Sequence, residues 1–162
     1  MNIVSLGGVT VGVGIVLLVA LHWWHRGKRK PAALAPFVLS TAYGMLLILS
    51  AGGLLGALAG YTLWSGNGLG NMALVYGVGG GTPDVTRAHQ MALTDGGHAV
   101  VILVSLALFG LWKWAGKIRN GQIAAGIIAG ICLGLSGTVA GAAAVPLASG
   151  VNALGLGLTR LM

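Results

Sequence analysis

Long stretches of this chain carry no charge at all, and its cations are crowded into the gaps between them. Seven of the nine Lys/Arg residues fall in two short segments: Arg26, Lys28, Arg29 and Lys30 within 22–36, and Lys113, Lys117 and Arg119 within 113–121. The other two, Arg87 and Arg160, fall with both acids, Asp84 and Asp95, beyond the intervening apolar runs. Cations gathered on one side of successive apolar segments are the positive-inside pattern of polytopic membrane proteins. A soluble domain carries about 25% charged residues. This chain carries 7%, with 56% hydrophobic residues and a mean hydropathy of +0.92. So bare a surface needs lipid or partner subunits around it. The expected class is therefore all-α: a polytopic integral membrane protein with one transmembrane domain over 1–162, at the cell membrane, with basic loops in the cytoplasm and both termini outside.

Hydropathy predicts four spans, at about 3–21, 37–63, 98–114 and 122–145. A helix needs ~20 residues to cross ~30 Å of hydrocarbon. The first span lacks the basic leader of a secretory signal, its cations following the apolar run, so it is expected to be retained. Trp23 and Trp24 close it at headgroup depth, and Tyr61 and Trp64 mark the outer end of the second. Residues 64–97 are expected as an extracytoplasmic Gly-rich loop. Ser65-Gly66-Asn67-Gly68-Leu69-Gly70-Asn71 and Gly79-Gly80-Gly81 disfavour continuous helix, with the apolar piece 72–78 re-entrant, interfacial or extended. Thr82-Pro83-Asp84 reads as a helix start. The fourth span is expected to end before Pro146, with 146–162 as a helix on the outer surface or against neighbouring subunits.

Small residues recur at helical spacing. Gly52, Gly56 and Gly60 share one face of the second span. Gly126, Gly130 and Gly134 share a face of the fourth, continued by Thr138 and Ala142, and Gly8 and Gly12 share one in the first. Bare faces let helix backbones approach closely, which is how helices associate in lipid. Thirty glycines exceed the needs of one small bundle, so at least one face is expected to join copies of the chain in a homo-oligomer.

No Asp, Glu, Lys or Arg falls at membrane depth. This argues against proton relays, ion-coupled carriers and intramembrane hydrolases, and no enzymatic activity is expected. Asp84, Arg87, His89, Asp95 and His98 form an outer polar cluster, with Asp84/Arg87 and Asp95/His98 at contact spacing on a helix. A metal set of His89, Asp95 and His98 matches no strong signature, and a loop salt bridge with interfacial histidines is preferred. His22 and His25 read as headgroup anchors. Cys132, the single cysteine, excludes an intrachain disulfide and reads as a core residue. Gly79-Gly80-Gly81 lacks the GK[ST] of a phosphate loop. No metal or cofactor is expected beyond bound phospholipid. Arg26, Lys28, Arg29, Lys30, Lys113, Lys117 and Arg119 suit an anionic leaflet at about 1 kcal/mol per residue. Nucleic-acid phosphates or an acidic protein are the alternative partners. Trp23, Trp24, Trp112 and Trp114 suit base stacking on paper but are better explained as an interface belt.

The Ala/Gly/Leu/Val-rich spans and the stretch Trp23-Trp24-His25-Arg26-Gly27-Lys28-Arg29-Lys30 resemble small multi-span membrane proteins of conjugative-plasmid and phage gene clusters in high-GC Gram-positive bacteria. Residues 113–137, a basic loop leading into a Gly-rich span, look generically like the pilin subunits of type IV secretion systems, which have two spans and an inward basic loop. The resemblance implies a role in assembling a membrane pore, tube or transfer apparatus. A homo-oligomeric pore or scaffold, packed through its Gly-rich helix faces with the basic loops in the cytoplasm or, after assembly, in a lumen, is accordingly the expected function. The alternatives are a holin-like permeabilising protein and a small subunit of a larger transporter or enzyme complex.

Overall fold

An apolar helix, a basic segment, a shorter helix, a break and a third helix follow one another twice along the chain. The computed structural model describes residues 4–26, 30–50, 52–85, 93–114, 120–137 and 139–161. In it the first series is α1 (Leu6–Arg26), α2 (Ala35–Leu49) and α3 (Gly53–Met72), and the second is α4 (Asp95–Trp114), α5 (Asn120–Gly134) and α6 (Val139–Leu161). Their lengths are 21, 15 and 20 residues against 20, 15 and 23. The fold is all-α.

The two series also share sequence. Gly7-Gly8 and Gly96-Gly97 open α1 and α4, and Trp23 and Trp112 stand near their ends, followed at equal spacing by Gly27-Lys28 and Gly116-Lys117. Past the breaks, Gly52-x-x-x-Gly56-Ala57 recurs as Gly137-x-x-x-Gly141-Ala142, and Asn67-Gly68-Leu69-Gly70 as Asn152-Ala153-Leu154-Gly155. The chain is thus an internal duplication. Such units stack to bury faces that one copy alone leaves bare.

α2 and α5 form the centre and run in the same direction. Along their seam Gly126 meets Phe37 and Ser40, Gly130 meets Thr41 and Met45, and Gly134 meets Met45 and Ile48. Around this pair, α3 returns to the start of α1 and α6 to the start of α4. The buried core runs through Met45–Leu49 of α2, Ala59 and Leu63 of α3, Val101 of α4, Ile131 and Leu133 of α5, and Ala144 and Ala148 of α6.

Several local expectations change. The segment 37–63 is not one helix. Ser50 caps α2 by donating its N–H to the Leu46 and Leu47 carbonyls. Gly53 then takes φ +72°, a left-handed conformation that costs other residues about 1–2 kcal/mol. The chain leaves at 106° to its former course. Likewise the expected 122–145 helix stops at Gly134, where Ser136 turns the chain by donating both its N–H and its Oγ–H to the Leu133 carbonyl, at 3.1 and 2.7 Å. α6 then runs through Pro146 to Leu161, so Pro146 lies inside a helix rather than after one. Hydropathy windows average over such serine- and glycine-made turns.

The expected Gly-rich loop is helical as far as Met72 and continues as a wider π-type turn over Ala73–Gly77. Its glycines cost helix propensity, but Gly66 and Gly70 use their bareness to pack on Cys132 and on the Gly7 backbone. Thr82-Pro83-Asp84 starts no helix. Pro83 accepts the Leu6 N–H and Val85 donates to the Val4 carbonyl, both at 2.9 Å, so the segment pairs with the start of α1.

Among the described residues one helix, Leu6–His25, is by itself long and apolar enough to cross a membrane, and α2 with α3 passes only as a bent pair. The remaining apolar stretches, Asp95–Gly110, Gly121–Gly134 and Gly141–Gly157, are shorter.

Candidate functional site

The polar groups of this bundle cluster where each half closes on itself. At the start of α1, Ser5 caps the helix by accepting the Gly8 N–H on its hydroxyl at 3.3 Å. The Ser5 N–H donates to Asn67 Oδ1 of α3 at 3.2 Å, and the Ser5 hydroxyl donates to Asn71 Oδ1 at 2.9 Å. At the start of α4, Thr94 accepts the Gly97 N–H at 3.2 Å and donates its own N–H to Asn152 Oδ1 of α6 at 2.9 Å. Both are helix caps, and both are reached by an asparagine from the third helix of their unit.

The glycines beside these latches are needed for close approach. A β-carbon on Gly70 would strike the Gly7 carbonyl, and one on Gly155 would strike the Gly96 backbone. Gly8 and Gly97 leave room for the Asn67 and Asn152 side chains. These pairs are why α3 and α6 bind so closely to the first helix of their units.

The two predicted glycine rows have different surroundings. Gly126, Gly130 and Gly134 are buried against α2 of the same chain. Gly52, Gly56 and Gly60, by contrast, line an open groove of about 650 Å³ along α3, together with Ser50, Gly53, Ala57, Tyr61 and Trp64. A β-carbon added to Gly52 would meet nothing within 4 Å. Tyr61 and Trp64 stand over the groove at 73% and 75% exposure. Of the glycines expected to pair in the first span, Gly12 packs on Leu133 of α5, with a β-carbon position 2.7 Å from its Cγ.

Lys30 and Lys113 precede the parallel helices α2 and α5 and so share one end of the bundle. Lys30 and Lys113 are exposed there, and Trp23 Nε1–H donates to the Lys30 carbonyl at 2.9 Å, tying the end of α1 to the turn. Lys28, Arg29, Lys117 and Arg119 lie outside the described residues, as does the side chain of Arg26. Trp23 and Trp24 meet edge to face with centroids 6.5 Å apart.

The expected outer cluster is divided. Asp95 opens α4 at the favourable end of its dipole, and Asp84 pairs through its backbone with Ser5. Arg87 and His89 lie outside the described residues. Half-buried His98 faces a cavity of about 400 Å³ lined also by Ser50, Gly53, Val101 and Ile102. Among the described residues no three His, Cys, Asp or Glu side chains come together as a metal set.

Sequence reasoning missed the latches and the cavities on the α4 side. The recurrent Asn-x-Leu-Gly and Gly-Gly pairs were the available signal for the former. No protein-family model matches this chain, and neither a curated protein nor a solved structure does.

Proposed function

We propose that this chain is a polytopic membrane protein whose copies associate through the α3 groove and so scaffold a pore, tube or transfer apparatus. The observation that carries this reading is the unequal use of its two glycine rows. The α5 row is filled from within the chain, whereas the α3 row lines a groove that stays open among the described residues, with Gly52 in open space.

In lipid, helices associate through close packing and not through burial from water. A groove floored by Gly52, Gly56 and Gly60 and walled by Tyr61 and Trp64 suits the same surface of a second copy. The aromatic rings of each would lie over the glycines of the other, an isologous contact that makes a dimer, the unit from which further faces build the ring or tube. The rest of the exterior suits acyl chains: Leu17, Leu18 and Leu21 on α1 and Leu103 and Leu106 on α4 are more than half exposed. The cations clustered in sequence just before α2 and α5 suit an anionic leaflet and bound phospholipid.

The test is particle mass in nanodiscs of native lipid. The wild-type chain is expected as an oligomer. Gly52→Leu, whose β-carbon would stand in open space at the mouth of the groove, is expected to give monomers of unchanged helix content. A wild-type chain that is monomeric at every lipid ratio overturns the proposal. Projection images of the oligomer then separate ring from tube.

A further inference from the structure

The two halves of the duplication differ in how their first helices meet the central pair. α1 lies along α5, with Gly12 against Leu133 and Cys132. The corresponding residue of α4 is Val101, and α4 touches α2 only sparsely. In its place is a cleft of about 400 Å³, open to the side, walled by Leu108 and Phe109 of α4, by Tyr43 of α2 and by Ile123 and Ile127 of α5. Among the described residues its single polar feature is a contact of 2.6 Å between the Tyr43 and Ser105 hydroxyls. At the matching positions of the closed flank the chain carries Ala129 and Val16. The open flank alone therefore has both a cavity and a polar pair.

The direction of that pair is set by its surroundings. Ser105 donates its one hydroxyl proton to the Val101 carbonyl at 2.7 Å. Tyr43 must then donate to Ser105 Oγ, and the phenolic oxygen keeps a free acceptor lone pair. Tyr43 is 8% exposed, and among the described residues nothing donates to it. A buried acceptor in an apolar wall favours an occupant that brings a proton. Pockets of this size, mostly apolar with one or two placed polar groups, are the usual form of small-molecule sites.

We propose that this cleft binds a lipid alcohol: an apolar body packed against Phe109, Ile123 and Ile127, with a single hydroxyl donating to the Tyr43 oxygen. The shared chemistry is one hydroxyl on a hydrocarbon of lipid size, as in a straight-chain or a polycyclic alcohol. The proposal is independent of whether copies associate.

The experiment uses the full chain in detergent and a diazirine-bearing hexadecanol, with labelled peptides mapped by mass spectrometry. Saturable labelling of α4 and α5 around Phe109 and Ile123 is expected, competed about five- to tenfold better by hexadecanol than by its methyl ether, which cannot donate. Tyr43→Phe keeps the ring and removes the acceptor. It is expected to retain labelling and the wild-type melting profile while losing the preference for alcohol over ether. Competition by a sterol in place of hexadecanol decides between polycyclic and straight-chain ligands. Equal competition by alcohol and ether in the wild-type chain, or the absence of saturable labelling, overturns the proposal. So does a Tyr43→Phe chain that folds normally and still discriminates.

Discussion

Asn67 and Asn152 perform the same task in the two halves of the molecule. Each presents its side-chain oxygen to the backbone N–H of a capping residue, Ser5 at 3.2 Å and Thr94 at 2.9 Å, and so fixes the third helix of a unit to the start of the first. Replacing either by Ala leaves a partly buried donor unmatched, which costs about 1–3 kcal/mol. Thermal unfolding in detergent is expected to show both variants destabilised by similar amounts. A neutral Asn152→Ala alongside a damaging Asn67→Ala would mean that the second latch bears no load.

Glycine substitutions are expected to divide by location and not by motif. A β-carbon on Gly130 collides with the Thr41 carbonyl, and overpacking of this kind costs about 1–3 kcal/mol. Gly14 sits in α1 with nothing within 4 Å of such an atom, so Gly14→Ala gains helix propensity of about 1 kcal/mol. Melting temperatures of the two alanine variants should therefore move in opposite directions.

The break between α2 and α3 makes a separate demand. Gly53 holds φ +72° in open space, so Gly53→Ala meets no neighbour and still loses about 1–2 kcal/mol of backbone energy. Gly52, with φ −147°, is expected to accept Ala with little change. Equal melting temperatures for the two variants would place the bend elsewhere.

Accessibility tests the orientation. Lys30→Cys and Lys113→Cys share one end of the bundle, whereas Asp84→Cys lies by the start of α1 at the other. A membrane-impermeant maleimide added to intact cells is expected to label Asp84→Cys alone, while both lysine sites label in inverted vesicles. Cys132 is fully buried and stays silent. Labelling of Lys30→Cys and Lys113→Cys from opposite sides would refute the shared basic end.

The helical class was legible because it is written in composition and order: long apolar runs with 7% charged residues. Helix bounds were less legible. Ser50 and Ser136 stop helices through hydrogen bonds to the preceding carbonyls that hydropathy does not register, and Gly66 and Gly70 look like loop residues until their partners Cys132 and Gly7 are in place. The duplication was present in the letters but diluted. A shorter link between the first two helices of the second unit shifts the register midway, so the Gly-Gly and Asn-x-Leu-Gly matches do not fall at one common spacing. The cleft beside Tyr43 could not be read at all. It depends on a difference between Gly12 and Val101 that gains meaning only when their helices are known to be counterparts.

That difference has a consequence for the covalent joining of the halves. Two identical half-length chains around the α2–α5 seam would be forced to treat their outer helices alike, sealing both sides or neither. On one continuous polypeptide, a residue in α1 has no obligatory twin in α4. One side can then serve as a rigid wall while the other stays free to admit a guest.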